Sequence, residues 1–191
     1  MSKLGEKIET IRNRMRTNIT DLDLKRYFPE TNQPNDNVIK YSELANVQSL
    51  DEILPHDKSW KIILLEQELN KGHWMMICRY GNTYCEFDSY GKRIDEELKF
   101  VDKIQKILLG QNRKYITELL NKLPKKTKKI WNKKKLQKIT NASATCGRWC
   151  ILFVICMRDY GFDLKEFQQF IDKWSKELNL TPDELVSHWV K

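Results

Sequence analysis

Residues 140–160 read TNASATCGRWCILFVICMRDY, and Gly161 follows. A polar segment of small residues runs into Cys146-Gly147 and then into an almost wholly apolar stretch. That stretch has the length of a buried helix, and it places the Cys146 thiol in the helix's first turn. Backbone N–H groups and the positive end of the helix dipole favour a thiolate there, and the thiolate is the nucleophilic form of cysteine. Plain core packing is the competing description, because unpaired cysteines are among the most buried residues. Cys150 and Cys156, further along the same apolar stretch, read as core thiols. What separates the two descriptions of Cys146 is whether the rest of the chain can bring it a base.

Upstream, two strand-like runs, residues 73–80 and 83–90, are joined by Gly81-Asn82, a hairpin signal. With a two-residue turn, Tyr80 pairs with Thr83, Met75 lies opposite Asp88 and His73 opposite Tyr90. Side chains alternate with period two, so His73, Met75 and Asp88 share one face. His73 and Asp88 become diagonal neighbours with Cβ atoms about 7 Å apart, within reach of one hydrogen bond. An imidazole oriented by a carboxylate is the base half of a nucleophilic triad. A turn one residue longer reverses the parity, and Asp88-Ser89-Tyr90-Gly91 also has the composition of an ordinary turn. His56, in a loop after Pro55, and His188, near the C-terminus, are the other histidines, and neither sits in a comparable element.

Further out, the chain alternates short helices and strands. Leu4, Ile8, Ile11 and Met15 have helical spacing over residues 3–16. Thr20 reads as the cap of a second helix that stops at Pro29, and residues 31–37 have loop chemistry. Residues 38–41 read as a short strand, and Ser49 caps a short helix ending before Pro55. Residues 60–65, WKIILL, form a near-continuous apolar run, as in a central strand covered on both faces. Residues 66–72 read as a polar loop, 94–109 and 112–123 as helices, and 129–131 as a last short strand. After the Cys146 helix, residues 164–178 and 182–189 are helical by periodicity and capping. The reading is one α+β domain over residues 1–191: a small mixed sheet packed against the helix that carries Cys146, flanked by further helices.

The composition bounds the function. The 191 residues are 40% hydrophobic and carry a net charge of +8. No stretch approaches the roughly 18 apolar residues of a membrane span, and the charged N-terminus lacks a signal-peptide pattern, so an intracellular protein is expected. Five cysteines is an odd number that argues against a disulfide framework. The cysteine spacings lack the CxxC pair of a zinc site, so no metal is expected. Cys78 and Cys85, opposite each other across the hairpin, read as packed thiols.

The basicity is local. Residues 119–138 hold nine lysines and no acid, and the remainder is close to neutral. Lys125, Lys126, Lys128, Lys129, Lys133, Lys134 and Lys135 fit phosphate contacts, with Trp131 available to stack on a base. They equally fit attraction to an acidic partner, or a solvated edge strand kept from aggregating by charge.

Gly72-His73-Trp74, Phe87-Asp88-Ser89-Tyr90-Gly91, Gln137 and Thr145-Cys146-Gly147, in that order, resemble the adenovirus-type (adenain-like) maturation cysteine proteases. These share a clan with the ubiquitin-like-protein (SUMO) proteases, and the versions in virophages, giant DNA viruses and Polinton-like elements are the most similar. The likeness spans residues 38–160, and its motif order differs from papain, where the cysteine comes first. The resemblance implies a cysteine-protease fold with a catalytic core over 38–160, an N-terminal helical segment over 1–30 and C-terminal helices over 161–191. It implies Cys146 as nucleophile, His73 as base, Asp88 as its orienting carboxylate and Trp74 as a cover over the His–Asp pair. Gln137 and the Cys146 backbone N–H would form the oxyanion hole. Eight residues separate Gln137 from Cys146, a longer spacing than in the best-known relatives, which leaves Asn141 as a rival amide donor.

The function implied is processing of viral capsid or core precursors during virion maturation, with cleavage after small residues of Gly-Gly or Gly-X type. The resemblance implies no required cofactor and leaves activation by DNA or a viral peptide open. The setting would be the host cytoplasm, a viral factory or the virion interior. Two other functions fit the same residues. One is a deconjugating protease acting on ubiquitin- or SUMO-like adducts of host proteins. The other, of a different class, is a basic nucleic-acid-binding protein with an inactive protease fold.

Overall fold

The computed structural model describes residues 3–28, 37–140 and 143–191. Helix α1 (Lys3–Arg16) is followed by α2 (Asp21–Tyr27), which opens on a capping box. The Thr20 hydroxyl accepts the Asp23 N–H at 3.2 Å, and the Asp23 carboxylate accepts the Thr20 N–H at 3.0 Å. Of the loop expected over 31–37, all but the last position lies outside the described residues. Strand β1 (Val38–Lys40), a 3₁₀ turn (Tyr41–Asn46) and α3 (Leu50–Ile53) lead into β2 (Trp60–Glu68), β3 (Lys71–Tyr80) and β4 (Thr83–Phe87). A 3₁₀ segment (Ile94–Phe100), α4 (Lys103–Leu108), α5 (Tyr115–Lys122) and β5 (Lys128–Trp131) follow. Helices α6 (Cys146–Tyr160), α7 (Leu164–Leu178) and α8 (Pro182–Trp189) complete the chain.

The architecture is α+β around one five-stranded sheet in the order β1-β2-β3-β4-β5. The inner pairs are antiparallel and both outer pairs are parallel, so the sheet is mixed. The continuous apolar run of β2 is explained by cover on both faces. Ile62 and Leu64 pack with α6, α7 and α8 on one side. Ile63 and Leu65 pack with the 3₁₀ segments, α3 and α5 on the other. Helix α6 is apolar nearly all round because it lies between the sheet and the other helices. Trp149, Ile151, Phe153 and Val154 are wholly enclosed, each contributing about 1.5–3 kcal/mol of transfer free energy. Gly161, at φ 72°, takes the left-handed conformation that ends the helix.

Three segments differ from the sequence reading. The polar residues 66–72 are not a loop: β2 runs to Glu68, β3 starts at Lys71, and the turn is confined to Leu69-Asn70, with Asn70 at φ 60°. Strand ends that project past the core keep their backbone pairing without an apolar pattern. The buried Glu66 carboxylate also draws polar partners there, from Lys40 Nζ at 3.1 Å and the Asn70 N–H at 2.7 Å. Second, residues 94–109 are not one helix. The 3₁₀ segment buries Ile94 and Leu98, then Asp102 accepts the Ile104 and Gln105 N–H groups and starts α4 anew. Ile104, Ile107 and Leu108 of α4 stay exposed. Third, β4 stops at Phe87 rather than Tyr90. The chain turns at Asp88, where the Gly91 N–H donates to the Asp88 carbonyl at 3.0 Å and Gly91 adopts φ 81°. Among the described residues no helix is long and apolar enough to cross a membrane.

Candidate active site

The Gly81-Asn82 turn is two residues long, with Gly81 at φ 55°. Tyr80 pairs with Thr83, and the register holds through Met76 and Phe87. In an antiparallel pair the start of β3 and the end of β4 fall at the same rim of the sheet. His73 lies near that start and Asp88 directly follows that end. Helix α6 crosses the opposite sheet face and begins with Cys146, so three separate elements deliver one residue each to the rim.

Two glycines make the approach possible. A Cβ on Gly72 would fall onto the Leu65 carbonyl oxygen of β2. A Cβ on Gly147 would lie 2.8 Å from Ile19 Cβ and 3.2 Å from Trp74 Cδ1. The Leu65 backbone before His73, and the Ile19 and Trp74 side chains after Cys146, leave no room for a side chain, so both positions are glycine.

His73 Nε2 donates to Asp88 Oδ1 at 2.6 Å. The Asp88 carboxylate also accepts the Tyr90 N–H at 3.1 Å and the Lys92 N–H at 3.3 Å, so the turn that ends β4 holds it in place. With Nε2 committed to Asp88, Nδ1 is the nitrogen left for the thiol. The ring is clamped from its face by Tyr90, stacked at 4.5 Å between centroids and 11° between planes. Asp88 is fully enclosed, His73 is 5% exposed and Cys146 8% exposed.

Burial opposes charge on both His73 and Cys146, and their mutual contact overcomes it. For His73, desolvation lowers the pKa, but the hydrogen bonds to Asp88 and Cys146 push it up to about 10. For Cys146, burial acts to raise the pKa. The hydrogen bond and charge of His73, with the Trp74 and Gly147 backbone N–H groups, hold the thiol below its ordinary range instead. Both shifts run toward a thiolate beside an imidazolium. Burial keeps Cys150, one turn along α6, well above the ordinary range, as an inert core thiol.

The other expected site residues divide. Gln137 is buried beside the Cys146 loop: its Oε1 accepts from Ser89 Oγ at 2.8 Å and its Nε2 donates to the Ser143 carbonyl at 3.1 Å. Its amide therefore links the residue after Asp88 to the segment before Cys146. Asn141, the rival donor, lies outside the described residues. Trp74 does not cover the His–Asp pair. By strand alternation its ring turns to the α6 side, joins the core there and donates from Nε1 to the Ile19 carbonyl at 2.8 Å. The ring stacked on His73 is Tyr90.

Lys125, Lys126, Lys128, Lys129, Lys133 and Lys135 are exposed along and around β5, the outer edge of the sheet. Lys134 is half-buried and paired with Asp172 of α7. The Trp131 ring is already engaged by Arg93 at 4.2 Å and Lys133 at 4.4 Å, which disfavours its use as a stacking platform for a base.

Sequence reasoning missed three supporting residues. Asn132 donates from Nδ2 to the Asp88 carbonyl at 2.6 Å. Ser89 donates to Gln137. Asp183, at the start of α8, accepts from Thr145 Oγ1 at 2.6 Å. Asn132 sits within a lysine run and Asp183 looks like one more acidic residue in a helix's first turn, so neither carried a signal.

A comparison with known proteins finds 32% identity over 152 residues with a virophage protein, the "Uncharacterized protein V9" of Sputnik virophage. The alignment takes in 78% of this chain and 83% of that one. The chain belongs to the V9 family. No protein-family model matches the chain, and no solved structure matches it. Membership ties this V9-family chain to a virophage protein over most of its length.

Proposed function

We propose that this V9-family protein is a cysteine endopeptidase. The observation that carries the reading is the buried His73–Asp88 pair, at 2.6 Å, combined with the opposite shifts of His73 and Cys146. Groups whose environments push their pKa values apart in this way have the signature of catalytic residues. The Cys146 thiolate attacks the scissile carbonyl and forms a tetrahedral oxyanion. One Gln137 amide hydrogen is held by Ser143, which leaves the second, with the Cys146 backbone N–H at the helix start, to bind that oxygen. His73, already protonated, gives its proton to the departing amine. The resulting thioester is hydrolysed by water, deprotonated by His73, which restores the ion pair.

Kinship with a virophage protein favours a viral substrate, and the function follows as cleavage of capsid or core precursors during virion maturation, in a viral factory or the assembling particle. Cleavage after Gly-Gly or Gly-X sites is the specificity that goes with this reading. Incubation of the purified protein with its own virus's structural precursors tests it. New termini should form with wild type and not with Cys146→Ala; labelling of Cys146 by ubiquitin-like electrophiles, without precursor cleavage, would favour a deconjugating protease instead. The exposed lysines at the β5 edge suit a polyanion, and DNA is the proposed partner there. Duplex DNA affinity should fall steeply with salt, and Lys→Gln changes at 125, 126, 128 and 129 should weaken it while leaving cleavage of a short peptide intact.

A further inference from the structure

Helix α8 lies outside the segment that supplies Cys146, His73 and Asp88, yet it sends a wholly buried carboxylate to the nucleophile's loop. Asp183 is 1% exposed and accepts four hydrogen bonds. Oδ2 receives the Lys138 N–H at 2.9 Å and Ser143 Oγ at 3.1 Å. Oδ1 receives Thr145 Oγ1 at 2.6 Å and the Trp149 indole N–H at 3.4 Å. Every partner is a neutral donor, so the site suits an acceptor-only group, an ionised carboxylate, whose burial is offset by these bonds.

The positions of the donors make the contact specific. Lys138 directly follows Gln137, Ser143 and Thr145 precede Cys146, and Trp149 lies one turn into α6. Asp183 thus grips both ends of the eight-residue segment that separates the amide donor from the nucleophile. Thr145, the N-cap residue of α6, makes no side-chain cap of its own helix; its hydroxyl goes to Asp183. Ser143, held through its hydroxyl by Asp183, receives the Gln137 amide on its carbonyl. A hydrogen-bonded path therefore runs from Asp183 through Ser143 and Gln137 to Ser89, beside Asp88.

We infer that Asp183 is a positioning residue of the active site: it sets the distance and angle between the Gln137 amide and Cys146 on which the oxyanion hole depends. This rests on the protease reading above. His73 and Asp88 are held by other elements, so loss of Asp183 removes transition-state stabilisation while leaving the thiolate–imidazolium pair in place.

The test uses the full chain with Asp183→Asn, and with Ser143→Ala/Thr145→Ala as a second variant that keeps the Asp183 carboxylate and withdraws two donors. Asn turns two hydrogens toward groups that are themselves donors. Amide hydrogen exchange at residues 138–140 and 143–145 reads the grip directly, and should speed up in both variants while the C-terminal half of α6 stays protected. On a fluorogenic peptide ending in Gly-Gly-aminomethylcoumarin, kcat should fall about 100-fold, as when one oxyanion donor is lost, with KM little changed. Iodoacetamide alkylation of Cys146 should keep the wild-type pH profile, and Asp183→Glu, still acceptor-only, should recover part of kcat. Unchanged loop exchange, or a kcat equal to wild type, would overturn the inference, as would a parallel loss of melting temperature, alkylation and kcat. If wild type itself cleaves neither this peptide nor the viral precursors, the protease reading fails, and the exchange experiment still decides whether Asp183 holds the loop.

Discussion

Cys146 and His73 are both buried, and the contact between them shifts each toward its charged form against the cost of burial. The pH dependence follows from the two directions. The His73 cation is present below its raised pKa and is lost as pH rises through about 10. The Cys146 thiolate is present above its lowered pKa. The ion pair therefore fills a window that opens below the ordinary thiol value and closes near pH 10, and iodoacetamide alkylation should be half-maximal below the roughly pH 8.5 of a free thiol. In His73→Ala the burial that opposes the thiolate meets less resistance, so the midpoint should move upward past that value. Activity should fall by about 100-fold or more when this base is removed. A midpoint unchanged between wild type and His73→Ala would mean that the imidazole does not act on the sulfur. Gly147 is the other residue with a sharp requirement. Gly147→Ala drives a methyl into Ile19 and Trp74, and about 1–3 kcal/mol of overpacking strain should appear as a lower melting temperature.

At the scale of elements, the site depends on the β3–β4 hairpin keeping its register and on β3 lying close to β2. Gly72→Ala tests the second. Its methyl has no space against the Leu65 carbonyl, so β3 must lift just before His73, and kcat should drop with a smaller change in KM; wild-type kinetics would refute that role. Both requirements were legible in part. The two-residue turn was readable from Gly81-Asn82, and with it the shared face of His73 and Asp88. The Cys146 helix was readable because a buried helix has to be apolar all round. The ends of elements were not. β2 and β3 extend through polar residues that no periodicity marks, and β4 stops three residues early because Asp88 is spent on the turn and on His73. That Trp74 turns away from the imidazole follows from strand alternation, which sends it to the α6 face while Tyr90 stacks on His73. Asp183 was invisible because its four donors come from residues 34 to 45 positions away in sequence.

Over the whole molecule, one mixed sheet separates two apolar layers, and the candidate site sits where three elements end at a single rim. Helix α8 closes on the loop before Cys146 from outside through Asp183. The lysine-rich edge strand lies on the far side of β4, and Asn132, directly after it, braces the Asp88 carbonyl, so the basic surface and the candidate site share a backbone turn. Kinship with a virophage protein sets the biological frame, and catalysis by Cys146 is the claim on which the proposed role stands. The most direct measurement is to incubate wild type and Cys146→Ala with the structural precursors of the protein's own virus and to sequence every new N-terminus. The account predicts discrete new termini following Gly-Gly or Gly-X sites with wild type, and none with Cys146→Ala. Equal processing by Cys146→Ala, or no processing by the wild-type protein, would contradict it.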